Sequence, residues 1–126
     1  MVENRAADEE VVKETLREGD AELESGAKFF IGQVIVHRLF NYRGVIIDVN
    51  PVFSGTEEWY ETMARTRPPK DKPWYRVLVS GADHETYVAE RNLVGDSSGE
   101  PIVHPLLDEW FDKFENGAYT RSHSVN

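Results

Sequence analysis

Apolar and polar positions alternate in short runs through the middle of the chain, and glycine, proline or asparagine closes each run. Val34, Ile35 and Val36 form the core of a first predicted strand, with His37 and Arg38 at its end. A turn through Asn41 and Gly44 leads to Val45–Val49, rich in the β-branched residues that suit a pleated surface. Pro51 ends that strand, because proline cannot donate to a ladder. Trp74–Val79 is the third strand, and alternation places Trp74, Arg76 and Leu78 on one face and Tyr75, Val77 and Val79 on the other. Residues 81–84 make a hairpin loop and Thr86–Ala89 a fourth strand. Glu90-Arg91-Asn92-Leu93 has the character of a turn that closes a small barrel.

Two segments break the period of two. Ser54 followed by Glu57 predicts a capping box, and a short helix carrying Glu58, Trp59, Tyr60 and Met63. Leu106, Leu107, Trp110, Phe111 and Phe114 fall on one helical face, with Pro105 in the first turn and Asn116-Gly117 as a C-cap. Arg67-Pro68-Pro69-Lys70-Asp71-Lys72-Pro73 predicts a stiff, extended linker. Residues 1–27 hold only Val11, Val12 and Leu16 at helical spacing, so they predict an appended arm, mobile or weakly helical. Residues 121–126 predict a frayed tail. The sum is an all-β (mainly β) domain over residues 28–120: a small SH3-like barrel with a short inserted helix and a C-terminal helix.

A length of 126 residues holds one such domain and a flanking segment. Cysteine is absent, which removes disulfides and thiolate metal sites. No run of about 18 apolar residues predicts a membrane span. The first residues are acidic and lack an apolar signal region, so a cytoplasmic protein is expected. The net charge of −9 is unevenly spread. Residues 1–27 carry nine acids against three bases, residues 28–79 five against eight, and residues 80–126 nine against three. Only the middle segment can offer a basic face to phosphates.

That segment supplies the candidate DNA- or partner-binding set: Arg38, Tyr42, Arg43, Arg67, Lys70, Lys72, Trp74 and Arg76, with Arg65 beside them. Cations would hold phosphates while Tyr42 or Trp74 contacts bases or sugar. The competing reading is a solvated face, with Arg43 and Arg76 paired to Asp48, Asp71 or Glu90. Trp59, Tyr60, Trp74 and Tyr75 are read as core, with a peptide groove as the alternative. His37 and His104 have no ligand partners at metal spacing and predict hydrogen-bonded structural roles. Asp48 and Glu90 have no nucleophile or phosphate loop beside them, and Asp48 before Asn50-Pro51 predicts a bond to nearby backbone amides. No catalytic residue, metal site or cofactor is predicted, and the class read from these residues is a binding protein rather than an enzyme.

Taken in order, Phe30-Ile31-Gly32-Gln33-Val34, His37, Tyr42-Arg43-Gly44-Val45-Ile46-Ile47-Asp48-Val49, Glu58-Trp59-Tyr60, Arg67-Pro68-x-Lys70-Asp71-x-Pro73-Trp74-Tyr75 and Tyr87-Val88-Ala89-Glu90-x-Asn92-Leu93 resemble the HspQ family. That family is also called YccV-like, or hemimethylated DNA-binding domain. Glu100-Pro101-Ile102-x-His104-Pro105 is similar to its tail region. The resemblance implies a small SH3-like barrel, cytoplasmic and homo-oligomeric with a trimer favoured, and no enzymatic activity. It implies two functions: a heat-shock role in which members act with the Lon protease and its protein clients, and binding of hemimethylated duplex DNA linked to replication control. The acidic arm has no counterpart in the family pattern.

Overall fold

The computed structural model describes residues 26–121. The arm expected over residues 1–27 lies outside the described residues up to residue 25, and the expected tail lies outside them beyond residue 121.

Five antiparallel strands form one curled sheet in the order β4-β3-β2-β1-β5: β1 (Val34–His37), β2 (Arg43–Asn50), β3 (Trp74–Val79), β4 (Glu85–Ala89) and β5 (Leu93–Gly95). The fold is mainly β, small and barrel-like, as the alternation predicts. A 3₁₀ turn over Glu90–Asn92 joins β4 to β5 at the expected closing turn. Both faces of the sheet are covered. Ile35, Ile46, Tyr75, Val77, Val88 and Leu93 fill the inside together with Ala27 and Phe29. Val34, Val45, Ile47 and Leu78 pack outside against Ile102, Phe111 and Tyr119. The predicted alternation on β3 holds, since Tyr75 and Val77 face in while Leu78 faces out. A bulge in β2 between Ile46 and Asp48 adds Ile47 to the outer layer and brings Asp48 opposite Arg76.

Local readings are corrected at four places. The turn between β1 and β2 ends before Gly44, which lies inside β2 opposite Val79. The turning residue is Asn41 at φ 62. Helix α1 (Glu57–Met63) is capped by Thr56, whose hydroxyl accepts from the Trp59 N–H at 3.0 Å. Ser54, the expected cap, is held elsewhere: its hydroxyl donates to the Val52 carbonyl and its N–H to the Tyr87 hydroxyl. The stretch 67–73 is not an extended linker but is folded onto the sheet. Its carbonyls accept from donors of the domain: Pro68 from the Tyr60 hydroxyl at 2.7 Å, Pro69 from Trp74 Nε1 at 3.0 Å, and Lys70 from the Phe53 N–H at 2.9 Å.

The fourth correction is the C-terminal helix. It is a single turn, α2 (Leu107–Trp110), followed by the hairpin β6 (Lys113–Glu115) and β7 (Ala118–Thr120). Asn116 and Gly117, with φ 55 and 78, form the turn between these strands. Two successive positive φ values match the twist of a hairpin, so Asn-Gly here is a hairpin turn rather than a helix cap. Phe111 and Phe114 reach Tyr119, with ring centroids 5.5 and 4.6 Å away, and the hairpin closes over the outer layer.

Candidate functional site

Each member of the predicted basic set has been placed by the fold, and most have a partner. Arg43, at the start of β2, pairs with Asp96 at 3.1 Å and donates to the carbonyls of Glu100 and Pro101. The Arg43 guanidinium holds the Asp96 carboxyl below the usual carboxylate range. Arg76 pairs with Glu85 at 2.7 Å and Asp48 at 3.8 Å, and lies 5.6 Å from the Trp110 ring. Arg67 pairs with Glu61 at 2.8 Å, and Lys70 pairs with Glu57; both also lie over the Tyr60 ring. Arg38 donates to the Arg91 carbonyl at 2.9 Å. Lys72 is half-buried and its charge lies close enough to stabilise the Glu90 carboxylate.

Exposed pairs of this kind contribute little to stability, typically about 0–1 kcal/mol. Their effect on the field is larger, because Arg43, Arg67, Lys70 and Arg76 each have a carboxylate a few ångströms away. The residues adjacent in sequence therefore do not merge into one basic surface. Arg43 and Arg76 do pair locally as the solvated-face reading holds, but with Asp96 and Glu85 foremost, and Asp48 second for Arg76.

Glu90 is set apart from any chemistry. It is buried, and its Oε2 accepts from the Tyr75 hydroxyl at 2.6 Å and the Lys28 N–H at 2.7 Å. The Tyr75 hydroxyl also accepts from the N–H groups of Lys28 and Phe29. Burial pushes the Glu90 carboxyl up, against the pull of those donors and of the Lys28 charge. Burial and the Glu90 charge push the Tyr75 hydroxyl up as well. Asp48 bonds the neighbouring Val49 N–H at 2.9 Å, the backbone role expected of it.

Both sequence-predicted histidines have the structural role. His104 Nδ1 accepts from the Leu106 N–H at 3.0 Å and its Nε2 meets the His84 carbonyl. His37 Nδ1 accepts from the N–H groups of Leu39 and Phe40, at 3.1 and 3.2 Å. The His37 ring stacks on Phe40 with centroids 4.7 Å apart. Burial lowers the His37 pKa, so the neutral acceptor form is favoured. One imidazole thus shapes the β1–β2 turn and holds out its two apolar residues. Phe40 is 71% exposed and Leu39 55%.

Those two side chains form one wall of a groove of about 590 Å³. Trp59, Met63 and Arg65 form the opposite wall, from α1 and the turn after it. The floor is β4, all five of whose residues line the groove. Of the predicted set only Tyr42 and Trp74 contribute to it. Trp74 is buried and belongs to an aromatic cluster with Phe53, Tyr60 and Tyr87. Tyr60 and Tyr75 are core, as read from the sequence, whereas Trp59 is half-buried and borders the groove. The residues that sequence reasoning missed are Leu39, Phe40, Met63 and Tyr87. The available signal was Leu39-Phe40 itself, since a turn of that length cannot return two large apolar side chains to its own core.

Among the described residues no group of three or more histidine, aspartate or glutamate side chains is placed to hold a metal ion. No helix among them is long and apolar enough to cross a membrane. A family model described as hemimethylated DNA-binding protein YccV like matches residues 27–118.

Proposed function

The chain belongs to the YccV-like, hemimethylated DNA-binding (HspQ-type) family, a family of binding domains, and from that premise we propose that it is a non-enzymatic stress protein whose working partners are proteins: it engages the Lon protease and promotes degradation of particular clients. The observation that carries this reading is the combination at the surface. Arg43, Arg67, Lys70 and Arg76 are each matched by a carboxylate within the domain, while the groove over β4 is walled by exposed apolar side chains. Apolar grooves of this size with a few polar groups fit side chains better than a phosphate backbone. Cytoplasmic location and a homo-oligomer, with a trimer favoured, belong to the same proposal. Phe30, Ile31 and Val94 are exposed apolar residues outside the groove that subunit contact would cover.

The test is a reconstituted degradation assay with purified Lon, a client protein and increasing amounts of this chain. A rise in client turnover that saturates with added chain is expected. Unchanged turnover, together with selective binding of a hemimethylated duplex over the unmethylated and fully methylated ones, would replace this reading with the second one. The second reading, a DNA module linked to replication control, is favoured by the family's description and by the excess of bases in residues 28–79. Its signature is steep loss of affinity with salt.

A further inference from the structure

Strand β4 is an edge of the sheet, with β3 as its one ladder partner. The Val79 N–H bonds the His84 carbonyl and the Glu90 N–H bonds the Pro73 carbonyl, one at each end of the β3–β4 ladder. In an antiparallel pair hydrogen-bonded and non-bonded positions alternate. The register, with Tyr75 opposite Val88 and Arg76 opposite Tyr87, therefore turns the backbone groups of Glu85, Tyr87 and Ala89 away from β3. Ala89 is closed off by packing in the cluster of Tyr60, Ala64 and Trp74. Glu85 and Tyr87 remain on the open stretch, and the ladder there is regular, with none of the bulges or prolines that commonly blunt an edge.

We propose that this edge takes up an extended segment of a partner polypeptide, which adds to the sheet beside β4 and sets a carboxylate against Arg65. The inference deepens the protein-partner reading above and rests on it. Only a chain with its own alternating N–H and C=O groups satisfies those of Glu85 and Tyr87 in a row. The two walls fit the alternation of such a segment. Side chains on one face meet Leu39 and Phe40, and those on the other meet Trp59 and Met63. Charge selects among extended segments. Glu85 is already held by both Nε and Nη2 of Arg76, whereas among the described residues the Arg65 guanidinium has no ion-pair partner. The uncompensated charge on the groove is positive, so the segment is apolar at alternate positions and acidic beside Arg65.

The test uses a labelled ten-residue peptide of alternating valine and threonine with a central glutamate, titrated against the full chain by fluorescence anisotropy. Two partners accompany it: the same peptide with lysine for glutamate, and one N-methylated at alternate residues. Binding of the glutamate peptide is expected, at least tenfold weaker for the N-methylated form, with slowed amide exchange at Glu85 and Tyr87. Arg65→Glu, an exposed change that leaves the fold alone, should reverse the preference between the glutamate and lysine peptides. No saturation by about 1 mM peptide, or equal affinity of the N-methylated form, overturns the proposal. Displacement of the peptide by hemimethylated duplex also overturns it and assigns the groove to nucleic acid. Lon-dependent turnover that survives Arg65→Glu and excess peptide refutes strand addition and leaves the protease reading standing. Saturable peptide binding by a chain that does not itself raise client turnover supports strand addition and refutes the protease reading.

Discussion

Replacing Tyr75 by phenylalanine removes one oxygen from the centre of the domain, at a residue with no solvent exposure. Three bonds end there: two accepted from the N–H groups of Lys28 and Phe29, and one donated to Glu90. The Lys28 N–H keeps its bond to Glu90 Oε2, so it stays satisfied. The Phe29 N–H loses its partner in a dry site, which costs about 1–3 kcal/mol. The Glu90 carboxylate, a charged acceptor, loses the bond donated by the Tyr75 hydroxyl, about 1.5–3 kcal/mol, partly recovered if the carboxyl takes a proton. The combined loss at pH 8 is about 2–4 kcal/mol, enough to lower the melting temperature by about 10 °C or more in a domain of this size. The loss also depends on pH. Burial has raised the folded-state pKa of Glu90, so between the ordinary glutamate range and that raised value the native protein holds a proton that the unfolded chain has lost. The contribution of this group to stability therefore falls as pH rises from the ordinary glutamate range through the raised folded value. The Tyr75 hydroxyl counteracts that rise, and without it the fall is deeper. Urea unfolding followed by tryptophan fluorescence at pH 5 and pH 8 should show the larger loss at pH 8. A loss below about 0.5 kcal/mol at pH 8, or one equal at both pH values, would refute the reasoning.

His37→Asn offers the Leu39 and Phe40 amides an acceptor that cannot be protonated. Burial lowers the His37 pKa, so its contribution is present above the ordinary histidine value of about 6.5 and is lost as pH falls through it; the wild type should lose stability between pH 7 and 5.5 relative to the variant, and parallel pH profiles would refute this. Gly44→Ala places a methyl 2.5 Å from Val77 Cγ1 and 2.6 Å from the Leu78 carbonyl oxygen, where the backbone of β3 cannot give way. A loss of about 1–3 kcal/mol is expected by calorimetry, and an unchanged melting temperature would show that β2 and β3 can separate locally.

The sheet was legible because its signal is local. Alternation along Trp74–Val79 sorts that strand into two faces without knowledge of any neighbour, and the sorting held. The hairpin at residues 113–120 was hidden because Phe111 and Phe114 share a face at helical spacing, and Asn-Gly ends a helix as readily as it turns a hairpin. What decided it was tertiary: Tyr119 has the outer layer to cover. The dispersal of the basic set was hidden for a related reason. Residues 65–76 follow one another in sequence, but the chain doubles back at Arg67, with φ 53, and sends Arg67, Lys70 and Arg76 to three different carboxylates. The groove was the least visible part, because its two walls come from a turn and a helix that only the fold of β4 sets face to face.

The C-terminal hairpin also dictates when the domain can form. The Tyr119 N–H bonds the Gly32 carbonyl at 2.8 Å, and Ala118 bridges Gln33, so the last strand closes onto the first residues of the barrel. Tyr119 further donates its hydroxyl toward the Ile102 carbonyl and accepts from the Ile102 N–H. A nascent chain emerging from the ribosome therefore carries Val34, Val45, Ile47 and Leu78 uncovered until residue 119 has left the tunnel. Contacts between segments far apart in sequence are slow to find, so this domain is expected to complete its fold only once Tyr119 is free to dock and to depend, until then, on whatever shields unfinished apolar sheets in the cell.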